Sequence, residues 1–294
     1  MLDGIARRAG YVAHAATTMF SRDAAGTCDV TDEVTIGLGS LARRVLIGCL
    51  AVELSLVALD YHVNYGRLVD VGAIQRLFNI AREDGLASWF GTTQTAFLAA
   101  TLWLVALTVR ARGGRRWQVA GWLVVAAFFA WMAVDDGAKV HERIGTAARE
   151  VAGRGSAMRS WLVAFPSYAW QVVFLPAFGA LGLFTVGFLG REIEVWTGRL
   201  LVVAGIGLFV VAVGMDFCEG LPPKHAWNPY TWLAQFPAVV EWATARFHRP
   251  VYDVLVHFSK SIEEFLEMLG NTLIWTAVLR HWARITSGLT VQVR

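Results

Sequence analysis

Charge is scarce in this sequence: Asp, Glu, Lys and Arg make up 17% of its 294 residues, against 56% hydrophobic. With a mean hydropathy of +0.48, that balance excludes an ordinary soluble domain and indicates a polytopic membrane protein. Cysteine is almost absent. Cys28, Cys49 and Cys218 have no paired spacing, which excludes a disulfide framework or a paired-thiolate zinc site. A net charge of +3 without a basic aromatic platform excludes nucleic acid as a partner. No long apolar run follows Arg7 and Arg8 before Val45, so no cleaved signal peptide is expected. Familiar catalytic signatures are missing. His141-Glu142 is followed by Arg143, Ile144 and Gly145 rather than a second histidine, and no Glu-x-x-His, G-x-S-x-G or Walker loop occurs.

The sequence does contain 13 Trp and 17 Phe, suited to membrane interfaces and helix packing, and six apolar stretches. These predict an all-α bundle with spans at 45–65, 87–109, 117–134, 161–189, 200–215 and 259–279. The fourth exceeds the roughly 20 residues a span needs, so a tilt or kink is expected at Pro166 or Pro176. Arg43 and Arg44 precede the first span. Arg110, Arg112, Arg115 and Arg116 follow the second, and Arg280 and Arg284 follow the last. The positive-inside rule makes these ends cytoplasmic, with both termini inside. The chain then divides into a cytoplasmic segment 1–44 (with a surface helix over 5–20), a membrane domain 45–281 and a tail 282–294. The outer loops are 66–86, 137–160 and 216–258, the last with an interfacial helix near 230–247.

With that orientation the acids collect at the outer ends of the helices. Asp60 and His62 close the first span, and Glu83 and Asp84 precede the second. Asp135, Asp136, His141 and Glu142 close the third, Asp216 and Glu219 the fifth, and Glu263, Glu264 and Glu267 open the sixth. A carboxylate in hydrocarbon costs about 2.5–3.5 kcal/mol or more, so these groups need partners. On a continuous helix Asp135 and Glu142 share a face around Lys139, with His141 turned away unless Gly137 bends the chain. The alternative is a solvated helix end in which Asp135, Lys139 and Glu142 pair with one another. Ser261 and Glu264 form a possible capping box, which leaves the deeper Glu267, one turn before Asn271, to face a polar cavity. Glu53 and Asp60 share a face seven residues apart. His225, His248 and His257 read as surface histidines of the outer cap.

Two resemblances bear on this pattern. Residues 216–227 loosely resemble the end of the alkaline ceramidase superfamily, but Trp227-Asn228-Pro229 follow where that family has a further histidine, so its zinc site does not transfer. Over residues 79–281 the chain resembles an uncharacterised family of bacterial polytopic membrane proteins. The motifs are an acidic segment entering a helix (Glu83, Trp89, Phe90), a helix ending Asp135-Asp136…His141-Glu142, and a last helix opening Glu263-Glu264-x-x-Glu267 with Gly270. It departs from that pattern at Ala87, where proline is usual, and at Asp136, where glutamate is common. The resemblance implies that these positions act together and brings no known activity.

The expected function is therefore that of a bacterial inner-membrane protein with an outward-facing carboxylate/histidine metal site. The expected ligands are Asp135, His141, Glu142, Glu263 and Glu267, with Asp136 or Glu264 as base and Asp60, His62, Asp216 and Glu219 as further candidates. A mixed oxygen and nitrogen set suits zinc, iron or manganese before calcium or magnesium. A metal-dependent hydrolase or oxidase acting on a lipid-like substrate is the leading expectation, with membrane lipids as its surroundings. A proton- or cation-coupled transporter and a non-catalytic subunit of a larger membrane complex are the alternatives.

Overall fold

A computed structural model describes residues 32–82, 84–153, 162, 164–286 and 289–293; for 32–36 and 289–293 only the backbone is considered. The surface helix expected over 5–20, and Glu83, lie outside the described residues.

Apolar surface on nearly every side is what produces this fold. Among the described residues, four helices are long and apolar enough to cross a membrane: α3 (Leu86–Ala111), α4 (Arg116–Ala138), α6 (Ala169–Glu192) and α7 (Trp196–Glu219). Only part of each is buried against its neighbours. Trp103, Val124, Leu183, Val203 and Val210 remain exposed on their outer surfaces, as expected where the surroundings are lipid rather than water. Two more long helices complete the bundle, α1 (Leu38–Asp60) and α10 (Val251–Ile285). Neither matches the other four in composition. Every 18-residue stretch of α1 includes Arg43, Arg44 and Glu53, and α10 carries Asp253, Lys260, Glu263, Glu264, Glu267, Arg280 and Arg284.

Helix α10 is the hub. From Gly270 to Leu279 it is buried on almost every side, packed most closely on α7, then on α1 and α3, while α3 pairs with α4. The main core joins Leu98, Leu102, Trp122, Phe129, Ile274 and Val278. Close approach of α7 and α10 rests on glycine. A Cβ on Gly205 would lie 2.8 Å from the Gly270 carbonyl oxygen and 2.6 Å from Ile274.

The boundaries differ from the sequence reading in physically instructive ways. The fourth span begins at Ala169, so Pro166 sits in the non-helical segment before it, and Pro176 alone lies inside the helix. Helix α10 starts eight residues before the expected Ser259, because Asp253, His257 and Lys260 continue the helix instead of breaking it. The segments expected as outer loops contain short helices: α2 (Gly72–Phe78), α5 (Val140–Gly153), α8 (Pro229–Leu233) and α9 (Pro237–Phe247). The last two fall on the segment 230–247 where a helix was expected. A wider π-helical turn, Tyr61–Tyr65, ends α1. The architecture is all-helical apart from one antiparallel ribbon, β1 (Asp32–Ile36) with β2 (Leu289–Val293), in which Val34 pairs with Val291. The ribbon places the start of α1 and the end of α10 on the same side of the bundle.

Candidate carboxylate site

Helix α4 stops at Lys139, which adopts a left-handed backbone, φ 53° and ψ 44°. That conformation is uncommon for a residue with a side chain and usual for ending a helix. It cancels the expected continuous helix. Asp135 and Glu142 do not share a face; the chain folds back so that His141 meets Asp135 instead. One Asp135 oxygen accepts from the His141 backbone N–H at 2.8 Å, and the other lies 2.7 Å from His141 Nδ1. Asp135 is buried and serves as a remote cap on the first turn of α5. The far ring nitrogen of His141 is 3.9 Å from Glu142, on the exposed rim, and the ring lies edge-on to Trp170. Asp135→Ala is therefore expected to cost more stability than His141→Ala, by about 1–3 kcal/mol, in thermal unfolding of the detergent-solubilised protein. Equal costs would mean that the ring contact is all Asp135 provides.

Asp136 points the other way, towards α3 and α10. It accepts from Thr92 Oγ1 at 2.6 Å and lies 3.8 Å from Lys139 Nζ. With Glu264, Glu267 and Asn271 it lines a cavity of about 30 Å3 between α3, α4, α7 and α10, closed by Gly91, Thr95 and Met268. That is space for an ion or one to two waters, not for a lipid headgroup. Asn271 is 5% exposed; its amide donates to Thr95 at 2.8 Å, while its carbonyl oxygen has no partner. The expected capping box at Ser261 is overturned. Ser261 is a mid-helix residue whose hydroxyl is shared between Asp60, at 2.9 Å, and the His257 carbonyl.

Helix α7 brings in a second row. Asp216 accepts from Gln171 at 2.8 Å, and Glu219 meets Lys260 Nζ and the Tyr168 hydroxyl, each at 3.4 Å. Burial, reinforced by the Glu219 and Asp216 charges, pushes the Tyr168 phenol well above its ordinary range. Glu263 is buried, has an unpartnered oxygen, and lies within electrostatic range of Asp216, Glu267, Glu264 and Glu219. Lys139 acts on Glu267 as well as on Asp136. Asp136, Asp216, Glu219, Glu263, Glu264 and Glu267 thus share one region with Lys139 and Lys260. Carboxylate outnumbers ammonium there, and buried like charges need a proton or a cation between them.

The α1 side gives Asp60, Glu53 and His257 partners that the sequence did not show. Asp60 is buried and also accepts from Asn64 at 2.9 Å; His257 Nε2 stands 3.4 Å away, so His257 is not a surface histidine. Deeper in the bundle, Glu53 is 0% exposed, and one of its oxygens accepts from Gln94 at 3.0 Å and Thr272 at 2.5 Å. His62 turns outward and joins none of this. Gln94, Thr95, Gln171 and Thr272 were missed because isolated neutral polar residues in apolar helices look like packing. The one available signal was the four-residue spacing of Thr95 from Gly91, Gln171 from Ser167 and Thr272 from Thr276, and Gln94 lacks even that. Among the described residues, no three of His, Cys, Asp and Glu converge as a ready-made metal-ligand set. His141 in particular is not brought into the wall of the cavity that Glu267 lines.

Comparison with known proteins gives one match. The model of a family described as a domain of unknown function, DUF8692, matches residues 45–282, and the chain belongs to that family. No curated protein and no solved structure matches it.

Proposed function

We propose that this DUF8692 member is a six-span protein of the bacterial inner membrane, with both termini cytoplasmic, whose outward-facing cavity at Asp136, Glu264, Glu267 and Asn271 holds a cation. The observation that carries the reading is the unpartnered Asn271 carbonyl oxygen, buried and lining the same small cavity as three carboxylates. Six spans are supported by α1, whose Ile47 and Leu54 are exposed like lipid-facing residues. They are supported too by α10, whose Glu263, Glu264 and Glu267 turn into the bundle, where apolarity is not required. Arginines at one end and carboxylates at the other support the orientation.

The carboxylates and the Asn271 carbonyl supply oxygen donors, and the lining holds no imidazole or thiol, which favours a hard ion, magnesium, manganese or calcium, over zinc or iron. Magnesium keeps much of its water and takes only one or two carboxylates directly, which suits a cavity that three carboxylates line without forming, among the described residues, a ready-made ligand set. The ion would lower the pKa of a bound water, with Asp136 or Glu264 placed to receive its proton. Hydrolysis or oxidation of a lipid-like molecule at the cavity mouth is the enzymatic form of the reading. A second reading, proton- or cation-coupled transport, is favoured by Glu53, a wholly buried carboxyl deeper in the same bundle.

Elemental analysis of purified protein, with unfolding followed with and without chelator, separates the two. A resident divalent ion is expected. At a hundredfold excess over its dissociation constant it contributes about 2.7 kcal/mol, so chelation lowers the unfolding midpoint, and Glu267→Gln lowers both metal content and the response to chelator. A metal-free protein, indifferent to chelator but sensitive to pH, would sink the metal site and favour transport.

A further inference from the structure

At the opposite end of the bundle from the carboxylates lies a second cavity, of about 510 Å3, within the range of small-molecule sites. Three arginines line it: Arg112 from the end of α3, and Arg280 and Arg284 from the last turns of α10. Arg112 donates to the Ile285 carbonyl, which fixes its guanidinium in the wall. Among the described residues Arg284 pairs with Glu194 alone, at 3.9 Å, and that carboxylate is 83% exposed on the rim. Arg280 makes no hydrogen bond or ion pair among the described residues.

The floor adds to this positive surface. Thr197 and Gly198, in the first turn of α7, line the cavity, and no side chain caps that helix. Its free N–H groups and dipole favour an anion at the same place. Arg199 holds the approach to this turn by donating to the Ile193 carbonyl at 2.7 Å. Trp196 and Leu200 beside it are exposed, so the cavity opens where an apolar helix surface meets its polar end.

We infer that this cavity binds a phosphate group, held by Arg280, Arg284 and Arg112 and by the amides opening α7. The phosphate comes either from an anionic phospholipid headgroup, whose chains would lie along α7, or from a free phosphate compound. The inference is independent of the cation site, since it concerns different residues at the other end of the helices.

The test uses the full-length protein in phosphatidylcholine nanodiscs with and without phosphatidylglycerol, and in neutral detergent with inorganic phosphate. The readouts are unfolding midpoint and lipid retention in native mass spectrometry. A rise confined to phosphatidylglycerol assigns the lipid source. A saturable rise with inorganic phosphate, which also displaces retained lipid, assigns the free compound. Arg280→Gln/Arg284→Gln is expected to lose most of either rise, with affinity falling roughly fivefold for each arginine, the ordinary strength of an interfacial basic residue. Arg280→Lys, which keeps the charge, and Arg246→Gln, in α9 at the far end, should retain it. Wild-type protein that responds to neither ligand, or a double variant that keeps the full rise, would overturn the assignment.

Discussion

Gly205→Leu is expected to leave little folded protein. Position 205 faces α10 where the two backbones come closest: its Cβ would stand 2.8 Å from the Gly270 carbonyl oxygen and 2.6 Å from Ile274 Cγ1. A carbonyl of the facing helix cannot rotate away as a side chain can. Even alanine forces the helices apart, at about 1–3 kcal/mol for overpacking, and leucine adds atoms with no space to receive them. The displaced helix would also carry Asn271 and Glu267 away from Asp136. The matched control is Gly207→Leu, two residues on, which faces outward and whose Cβ meets nothing within 4 Å. It should stay within about 0.5 kcal/mol of wild type. Denaturant unfolding in mixed micelles reads both. Equal stability of the two variants would mean that α7 and α10 do not cross at Gly205 and Gly270.

The second large effect is expected at Glu53. Its side chain is wholly enclosed by α1, α3 and α10 and accepts hydrogen bonds from Gln94 and Thr272. Glu53→Ala removes the shared acceptor and leaves a void, a combined cost of about 3–5 kcal/mol from a cavity and buried polar groups without partners. Glu53→Gln should be nearly neutral in stability. The amide keeps an acceptor oxygen and brings donors where Glu53 Oε2 and Gln94 Oε1 now have none. Stability alone does not decide whether Glu53 takes part in transport, but the pair of variants does. Full activity in the glutamine variant would make Glu53 purely structural; loss of activity with stability intact would make it part of a proton route.

The gross layout was legible in the sequence because charge segregation is long-ranged and survives errors in helix boundaries. Arginines at one set of helix ends and acids at the other identified the level of Asp136, Asp216, Glu219, Glu263, Glu264 and Glu267. The association of Asp135 with His141 was legible as nearness, not as geometry. The left-handed turn at Lys139 carries no sequence mark, since glycine or asparagine is the usual sign. It changes Asp135 from an open ligand to the acceptor that holds His141. Gly137, the obvious hinge by composition, stays helical. The pairing of Asp60 with Ser261 and His257, and of Glu53 with Thr272, could not be read. Residues about two hundred positions apart become neighbours only once the order of helices around α10 is known.

That separation has a consequence for how the protein is made. Glu53 and Thr272 are 219 residues apart in the chain yet share a hydrogen bond, and the β1–β2 ribbon closes the same long circuit. At roughly 5–20 residues per second, translation delivers Thr272 some ten to forty seconds after Glu53. In that interval α1 carries a carboxyl group whose partner on α10 does not yet exist, and Gln94 is the donor that reaches it first. Helices α3 and α4, which pack on each other, have no such wait. The close α3–α4 pair is therefore expected to form before α1 is fixed in place, since α1 packs mainly on α10. Truncation between α3 and α10 would leave the Glu53 carboxyl with Gln94 but without Thr272.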